Sequence, residues 1–119
     1  HKMADEYYSI TNEEKDLIDR AKREGRRIIA CGTSVVRTLE TVFSGNGTVP
    51  LQGRTELFIY PGYPFKAVDA LITNFHLPRS TPLLLTAAFA GKDALFTCYR
   101  EAQERGYRFY SYGDSMFIC

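Results

Sequence analysis

The chain has 119 residues, 45% apolar and 24% charged, with 15 Lys and Arg against 14 Asp and Glu. This composition describes one globular domain that buries roughly two thirds of its unfolded surface, and it excludes a mostly disordered chain. The net charge of +1 argues against a surface built wholly for nucleic acid, while leaving room for a local basic patch.

The apolar runs fall short of the ~18 residues that suggest a membrane span. Cys31, Cys98 and Cys119 are far apart and form no Cys-x-x-Cys pair. They fit a reduced, cytoplasmic setting, and Cys31 and Cys98 are expected to pack as small apolar residues. The polar opening His1-Lys2-Met3 carries no secretory signal, and a chain that opens on His reads as a piece of something longer or a processed chain.

In chain order, Glu6 to Ile10 reads as a short strand. Thr11 to Arg23 reads as a helix, because Thr11 and Glu14 have capping-box spacing and Leu17, Ile18 and Ala21 form a narrow apolar stripe. Gly25 is its expected stop. Arg20, Lys22, Arg23, Arg26 and Arg27 cluster there, as a solvated face that complements the helix dipole or, alternatively, as an RNA contact. Ile28 to Cys31 reads as a buried strand, Gly32-Thr33-Ser34 as a turn, and Val35 to Phe43 as a helix ending in a Ser44-Gly45-Asn46-Gly47 loop. Glu56 to Tyr60 is a third expected strand, followed by the turn Pro61-Gly62-Tyr63-Pro64.

Val68 to Ile72 reads as a further strand. The polar turn Asn74 to Thr81 follows, then a helix to Ala90 with Ser80 or Thr81 as cap and Pro82 at the first helical position. Asp93 is expected to cap a helix through Glu104 with Leu95, Phe96, Tyr99 and Ala102 inward. Tyr107 to Tyr112 reads as an aromatic strand, and Met116 to Ile118 as a last apolar run. Alternating strands and helices predict an α/β layered sandwich, with a mixed, partly parallel sheet flanked by helices.

Two strand-to-helix turns are candidate sites. Gly32 allows close backbone approach, Thr33 and Ser34 carry hydroxyls, and the helix N–H groups behind them suit an anion. Arg37, one turn in, can supply a charge-assisted contact. Neither a Walker loop nor a dinucleotide glycine fingerprint is present, and a plain capped helix start is the ordinary alternative. In the second turn, Asn74 and His76 lie two apart and share a face in an extended segment. His76 can act as a general base or simply satisfy loop carbonyls. Asp69, on an expected buried strand, needs a partner. The aromatics from Tyr107 to Tyr112 can stack on bases, or pack in the core. The spacing of His, Cys and carboxylates supports no metal site.

Three blocks together resemble a known family: Gly32-Thr33 with Val36-Arg37-Thr38-Leu39-Glu40; Phe58 to Gly62 leading into Val68 to Pro78 with Ser80-Thr81; and Tyr107-Arg108-Phe109 with Ser111 to Asp114. His1, Met3, Glu6 and Tyr8 add a fourth. They are similar to the C-terminal part of the S-adenosylmethionine:tRNA ribosyltransferase-isomerase family of queuosine biosynthesis. Ala4, Val35 and Pro82 depart from it, standing where the family usually has a His, a Ser and an aliphatic residue.

The resemblance implies a fragment of a monomeric, cytoplasmic, two-domain enzyme, comprising the C-terminal portion of its α/β domain without its β-barrel domain. It implies transfer and isomerisation of the ribosyl part of S-adenosylmethionine onto 7-aminomethyl-7-deazaguanine in a tRNA anticodon, giving epoxyqueuosine. S-adenosylmethionine is a co-substrate, tRNA is the partner, and neither a metal nor a membrane is involved. On this reading His76 and Glu6 are the catalytic candidates, and Gly32, Thr33, Arg37, Asn74, Ser80 and Thr81 bind substrate. A non-catalytic nucleotide- or RNA-binding module, or a paralogue with another substrate, is the alternative.

Overall fold

A computed structural model of the chain describes residues 5–43 and 49–119. His1, Met3, Ala4 and the loop expected at Ser44 to Gly47 lie outside the described residues. Strand β1 (Glu6–Ser9) leads into helix α1 (Asn12–Arg23), followed by β2 (Ile29–Cys31), α2 (Thr33–Val42), β3 (Gln52–Thr55), β4 (Ala70–Asn74), α3 (Thr81–Ala90), α4 (Lys92–Glu104) and β5 (Ser115–Ile118). The fold is α/β, with a mixed sheet in the order β2-β4-β5 and a two-stranded β1-β3 ribbon. β2 and β4 run parallel, with Ile29 opposite Ala70 and Cys31 opposite Ile72. β5 is antiparallel to β4, with Asn74 opposite Ser115.

The core forms in two parts. One gathers Ile28, Ala30, Val36, Leu39, Ile59, Leu71 and Leu85 between the sheet, α2 and α3; the other gathers Phe75, Leu95, Ala102 and Met116 around α4 and β5. The capping box of α1 is present: Thr11 Oγ1 accepts from the Glu14 N–H at 3.0 Å, and Glu14 Oε1 accepts from the Thr11 N–H at 2.8 Å. Ile18 and Ala21 pack on the first core cluster, while Leu17 is exposed.

The chain departs from its apolar pattern where side chains satisfy the backbone. The expected strand Glu56–Tyr60 is irregular, and the third strand is Gln52–Thr55, which pairs with β1. The Leu57 carbonyl accepts from Arg37 Nε at 3.0 Å and the Leu57 N–H donates to Thr55 Oγ1 at 3.1 Å, so its backbone needs no neighbouring strand. The strand expected at Val68–Ile72 begins at Ala70, because the Val68 N–H is bonded to Glu40 Oε2 at 2.9 Å.

Tyr107 to Tyr112 is a folded loop rather than a strand. The Tyr110 N–H donates to the Phe75 carbonyl at 2.9 Å, and Asp114 Oδ2 accepts from the Arg108 N–H at 2.7 Å. Its aromatic spacing serves packing: Phe109 stacks on Phe75 with centroids 4.6 Å apart. Helix α4 starts at Lys92 with Gly91 as its cap, not with an Asp93 cap. Phe96, Cys31 and Cys98 are exposed; Cys31 ends the edge strand β2, and Cys98 turns its thiol to the Met116 thioether at 3.8 Å at the border of the second core.

Helix α2 brings a carboxylate into the interior. Glu40 is fully buried. Its Oε1 accepts from the Lys66 N–H at 2.9 Å and the Tyr63 hydroxyl at 3.2 Å. Its Oε2 accepts from the N–H groups of Ala67 at 2.8 Å and Val68 at 2.9 Å. Burial first, and then the facing carboxylate, push the Tyr63 phenol up to about 12.

Glu40→Gln turns an amide N–H₂ toward backbone donors and should lower the unfolding free energy by about 3 kcal/mol in urea titrations. A loss below about 1 kcal/mol would show that the nest does not hold this segment. At Gly113 an added methyl would lie 2.5 Å from the Arg108 carbonyl oxygen. Gly113→Ala should therefore speed amide exchange at Tyr110 by about tenfold or more, and unchanged protection would show that the loop yields without cost.

Candidate functional site

Parallel pairing sets the carboxyl ends of β2 and β4 side by side, where ligand crevices of α/β sheets form. Gly32, at φ +100°, turns the chain from β2 directly into α2, and its N–H donates to the Ile72 carbonyl at 2.8 Å. The helix thus begins at Thr33, two residues before the expected start, and has no side-chain cap. Its first N–H groups lie beyond the reach of intrahelical acceptors, and the helix dipole favours negative charge there.

The two candidate turns share one cleft of about 410 Å³, with Gly32, Thr33 and Ser34 on one side and Asn74 and His76 on the other. Tyr110 and Ser111 complete it from the Tyr107–Asp114 loop. Tyr110 holds a left-handed φ of +72°, an uncommon conformation for a bulky residue. The sequence offers Tyr110 as a base-stacking or packing aromatic in a strand, but not as a loop residue beside the two turns. The signal available was its position ahead of Gly113-Asp114, a turn-forming pair.

Asn74 Nδ2 donates to the Asp114 carbonyl at 3.3 Å. The His76 ring approaches Thr73 with Nε2 and Oγ1 2.9 Å apart, and its backbone N–H donates to the Tyr99 hydroxyl at 2.6 Å. Tyr99 packs edge-on against Phe75 at 5.1 Å, so the turn is held from beneath by aromatic rings. Burial lowers the His76 pKa from its ordinary 6.5 and raises that of Tyr99. A neutral imidazole offers one accepting and one donating nitrogen near pH 7.

Other expected site residues lie elsewhere. Ser80 caps α3, accepting from the Leu83 N–H at 3.3 Å, and Thr81 is the first residue of that helix. Neither lines the cleft, although Leu77 and Pro82 beside them do. Arg37 is buried at 2% exposure and points away from the cleft. Its Nη1 pairs with Glu6 Oε2 at 2.8 Å and its Nη2 donates to the Thr55 carbonyl at 3.2 Å. Glu6 does not line the cleft either, but its Oε1 accepts from the hydroxyl of Ser34, which does, at 3.4 Å. Asp69 is exposed, and its Oδ2 accepts from the Ile28 N–H at 2.8 Å, which ties β2 to β4.

Among the described residues, no three His, Cys, Asp or Glu side chains gather as a metal site would require, and no helix is long and apolar enough to cross a membrane. Arg20, Lys22, Arg23, Arg26 and Arg27 are all exposed, with Arg26 paired to Glu24 at 2.9 Å and Lys22 Nζ donating to the Lys66 carbonyl at 2.8 Å.

An imidazole whose folded pKa lies below 6.5 binds fewer protons than it does in the unfolded chain. Its stabilising share is therefore complete above pH 6.5 and is lost as pH falls through the folded value. An NMR titration of His76 should give a midpoint below 6.5; one at or above that value would mean the ring is not desolvated.

Comparison with known proteins identifies the family and the fold. A family model described as "Queuosine biosynthesis protein" matches residues 1–118. S-adenosylmethionine:tRNA ribosyltransferase-isomerases from Natranaerobius thermophilus and Geobacter sulfurreducens are each 56% identical over 119 residues, which is 99% of this chain and 35% of theirs. The chain thus spans about a third of the length of the curated relatives it matches. The crystal structure of an S-adenosylmethionine tRNA ribosyltransferase from Thermotoga maritima superposes with a TM-score of 0.90 at 51% identity, covering 95% of this chain and 40% of that one. With nearly its whole length matched in sequence and in fold, the chain belongs to the queuosine biosynthesis protein family.

Proposed function

We propose that this chain is the C-terminal part of the α/β domain of an S-adenosylmethionine:tRNA ribosyltransferase-isomerase, whose β-barrel domain lies outside these 119 residues. The full-length enzyme is a cytoplasmic monomer. It moves the ribosyl part of S-adenosylmethionine onto a 7-aminomethyl-7-deazaguanine in a tRNA anticodon, forms epoxyqueuosine and releases adenine and methionine. The observation that carries this reading is the meeting of the two family blocks, Gly32-Thr33-Ser34 and Asn74-Phe75-His76, on one cleft at the ends of two parallel strands.

The cleft suits a substrate that is polar at several points. The uncapped N-terminus of α2, with the Thr33 hydroxyl, takes the methionine carboxylate or another anionic group. Asn74 and His76 hydrogen-bond the adenosyl or deazaguanine ring, and the Ser80-Thr81 start of α3 supports the Leu77–Pro82 wall. The reaction needs a base for the proton next to the sulfonium and an acid for the departing adenine. His76 has a ring nitrogen for one of these tasks, and the Glu6 carboxylate beside Ser34 is the candidate proton acceptor. S-adenosylmethionine enters as co-substrate, and its sulfonium makes the adjacent carbon acidic.

Full-length enzyme supplied with S-adenosylmethionine and tRNA carrying the deazaguanine base should release adenine, read by chromatography. Asn74→Ala and His76→Ala should each lower kcat/KM at least about tenfold, or ~1.4 kcal/mol of transition-state stabilisation. Near-normal turnover in both variants would remove the site assignment. Tight tRNA binding without adenine release would identify a binding module instead.

A further inference from the structure

The sequence pattern offered Arg37 as a substrate contact, since it lies one turn into the helix that opens on the cleft. Its geometry assigns it another task. The guanidinium is 2% exposed and reaches away from the cleft to two backbone carbonyls, through Nε to Leu57 at 3.0 Å and Nη2 to Thr55 at 3.2 Å. A planar fork bonded to two carbonyls has little freedom left. The nitrogen on its far side, Nη1, meets Glu6 Oε2 at 2.8 Å.

Glu6 is not buried in this pair. Its side chain is 45% exposed, and its second oxygen is turned to the Ser34 hydroxyl at 3.4 Å, on the wall of the cleft. One carboxylate oxygen is thus held by a buried cation, and the other lies beside Ser34, a residue of the cleft wall. Thr55 is itself fixed, with its hydroxyl 2.8 Å from that of Thr41. Thr41 in turn donates to the Arg37 carbonyl at 2.7 Å. The cation is therefore anchored through α2 and β3 together.

We propose that Arg37 is a positioning residue: it holds the Glu6 carboxylate beside Ser34 at the edge of the cleft, where Glu6 accepts the proton from the carbon next to the substrate sulfonium. The electron pair stays on that carbon and the proton moves to Oε1, the carboxylate oxygen that Arg37 does not hold. This rests on the reading of the cleft as the ribosyl-transfer site. A guanidinium that acts through Glu6 contributes to kcat, whereas one that grips the substrate contributes to binding.

The test is a set of variants of the full-length enzyme assayed by adenine release: Glu6→Gln, Glu6→Asp, Arg37→Lys, and Arg37→Lys combined with Glu6→Gln. Arg37→Lys should lower kcat about tenfold or more, with KM for S-adenosylmethionine within about twofold of the unmodified enzyme. The double variant should be no more than about threefold slower than Glu6→Gln alone, because the two residues act as one unit. Glu6→Asp leaves Arg37 in place but withdraws the carboxylate by one methylene; its kcat should fall close to that of Glu6→Gln, so the proposal stays testable even where Arg37→Lys fails to fold.

Multiplying losses with a raised KM would make Arg37 a substrate contact and overturn the proposal, as would full activity of Glu6→Asp. Full turnover of Glu6→Gln, with His76→Ala still impaired, would overturn it while leaving the proposed function standing. An unmodified enzyme that releases no adenine would fail the proposed function, and this proposal with it.

Discussion

Helix α2 carries two charged side chains into the interior, Arg37 and Glu40, and the surrounding structure follows from the need to satisfy both. A buried charge without partners is costly enough to unfold a small domain. Each is matched mainly to backbone. Arg37 takes the carbonyls of Thr55 and Leu57; Glu40 takes the N–H groups of Lys66, Ala67 and Val68. The segment between β3 and β4 has no ladder of its own, and α2 supplies the hydrogen bonds that a neighbouring strand would otherwise provide. One helix thus fixes the path of the chain into β4 and, through the start of β4, the place where Asn74 and His76 emerge.

The same helix opens at its other end on the cleft. Its N-terminus, the His76 turn and the Tyr110 loop come from three separated parts of the sequence, and different forces hold each. Gly32 and its hydrogen bond to Ile72 set the first; Tyr99 and the Phe75–Phe109 stack support the second and third. The polar groups facing the cleft are mounted on a scaffold whose side-chain freedom is spent on packing, as a preorganised site requires.

Much of this was legible in the sequence wherever a residue's local role and its tertiary role agree. The α1 capping box and the succession of helices and strands that makes an α/β fold with a partly parallel sheet follow from local chemistry; that β2 pairs with β4, and that the two candidate turns share one cleft, are tertiary outcomes that the sequence left open. The misplaced elements share one cause. At Glu56–Tyr60, Val68 and Tyr107–Tyr112, the apolar or aromatic pattern suited a strand, but a distant side chain or carbonyl had already taken the backbone groups. Arg37 illustrates the same limit at the site: its distance from Gly32 along the helix is readable, but the side on which its guanidinium finds carbonyl partners is not. Cys31 and Cys98 were expected inside on residue type alone, yet a strand end and the border of the second core leave them exposed.

The wall supplied by Tyr110 and Ser111 also bears on the order in which the molecule can be made. During synthesis from the N-terminus, the Gly32 turn, the Glu40 nest and the His76 turn are all available before α4 has emerged. The cleft they border then lacks one side, and Phe75 lacks the ring that stacks on it. Closure waits for Tyr110 to reach the Phe75 carbonyl and for β5 to add to β4. Until then the groove between the Gly32 and His76 turns stays open to water on the side that Tyr110 and Ser111 later close, so the last strand to join the sheet also decides when the cleft acquires its shape.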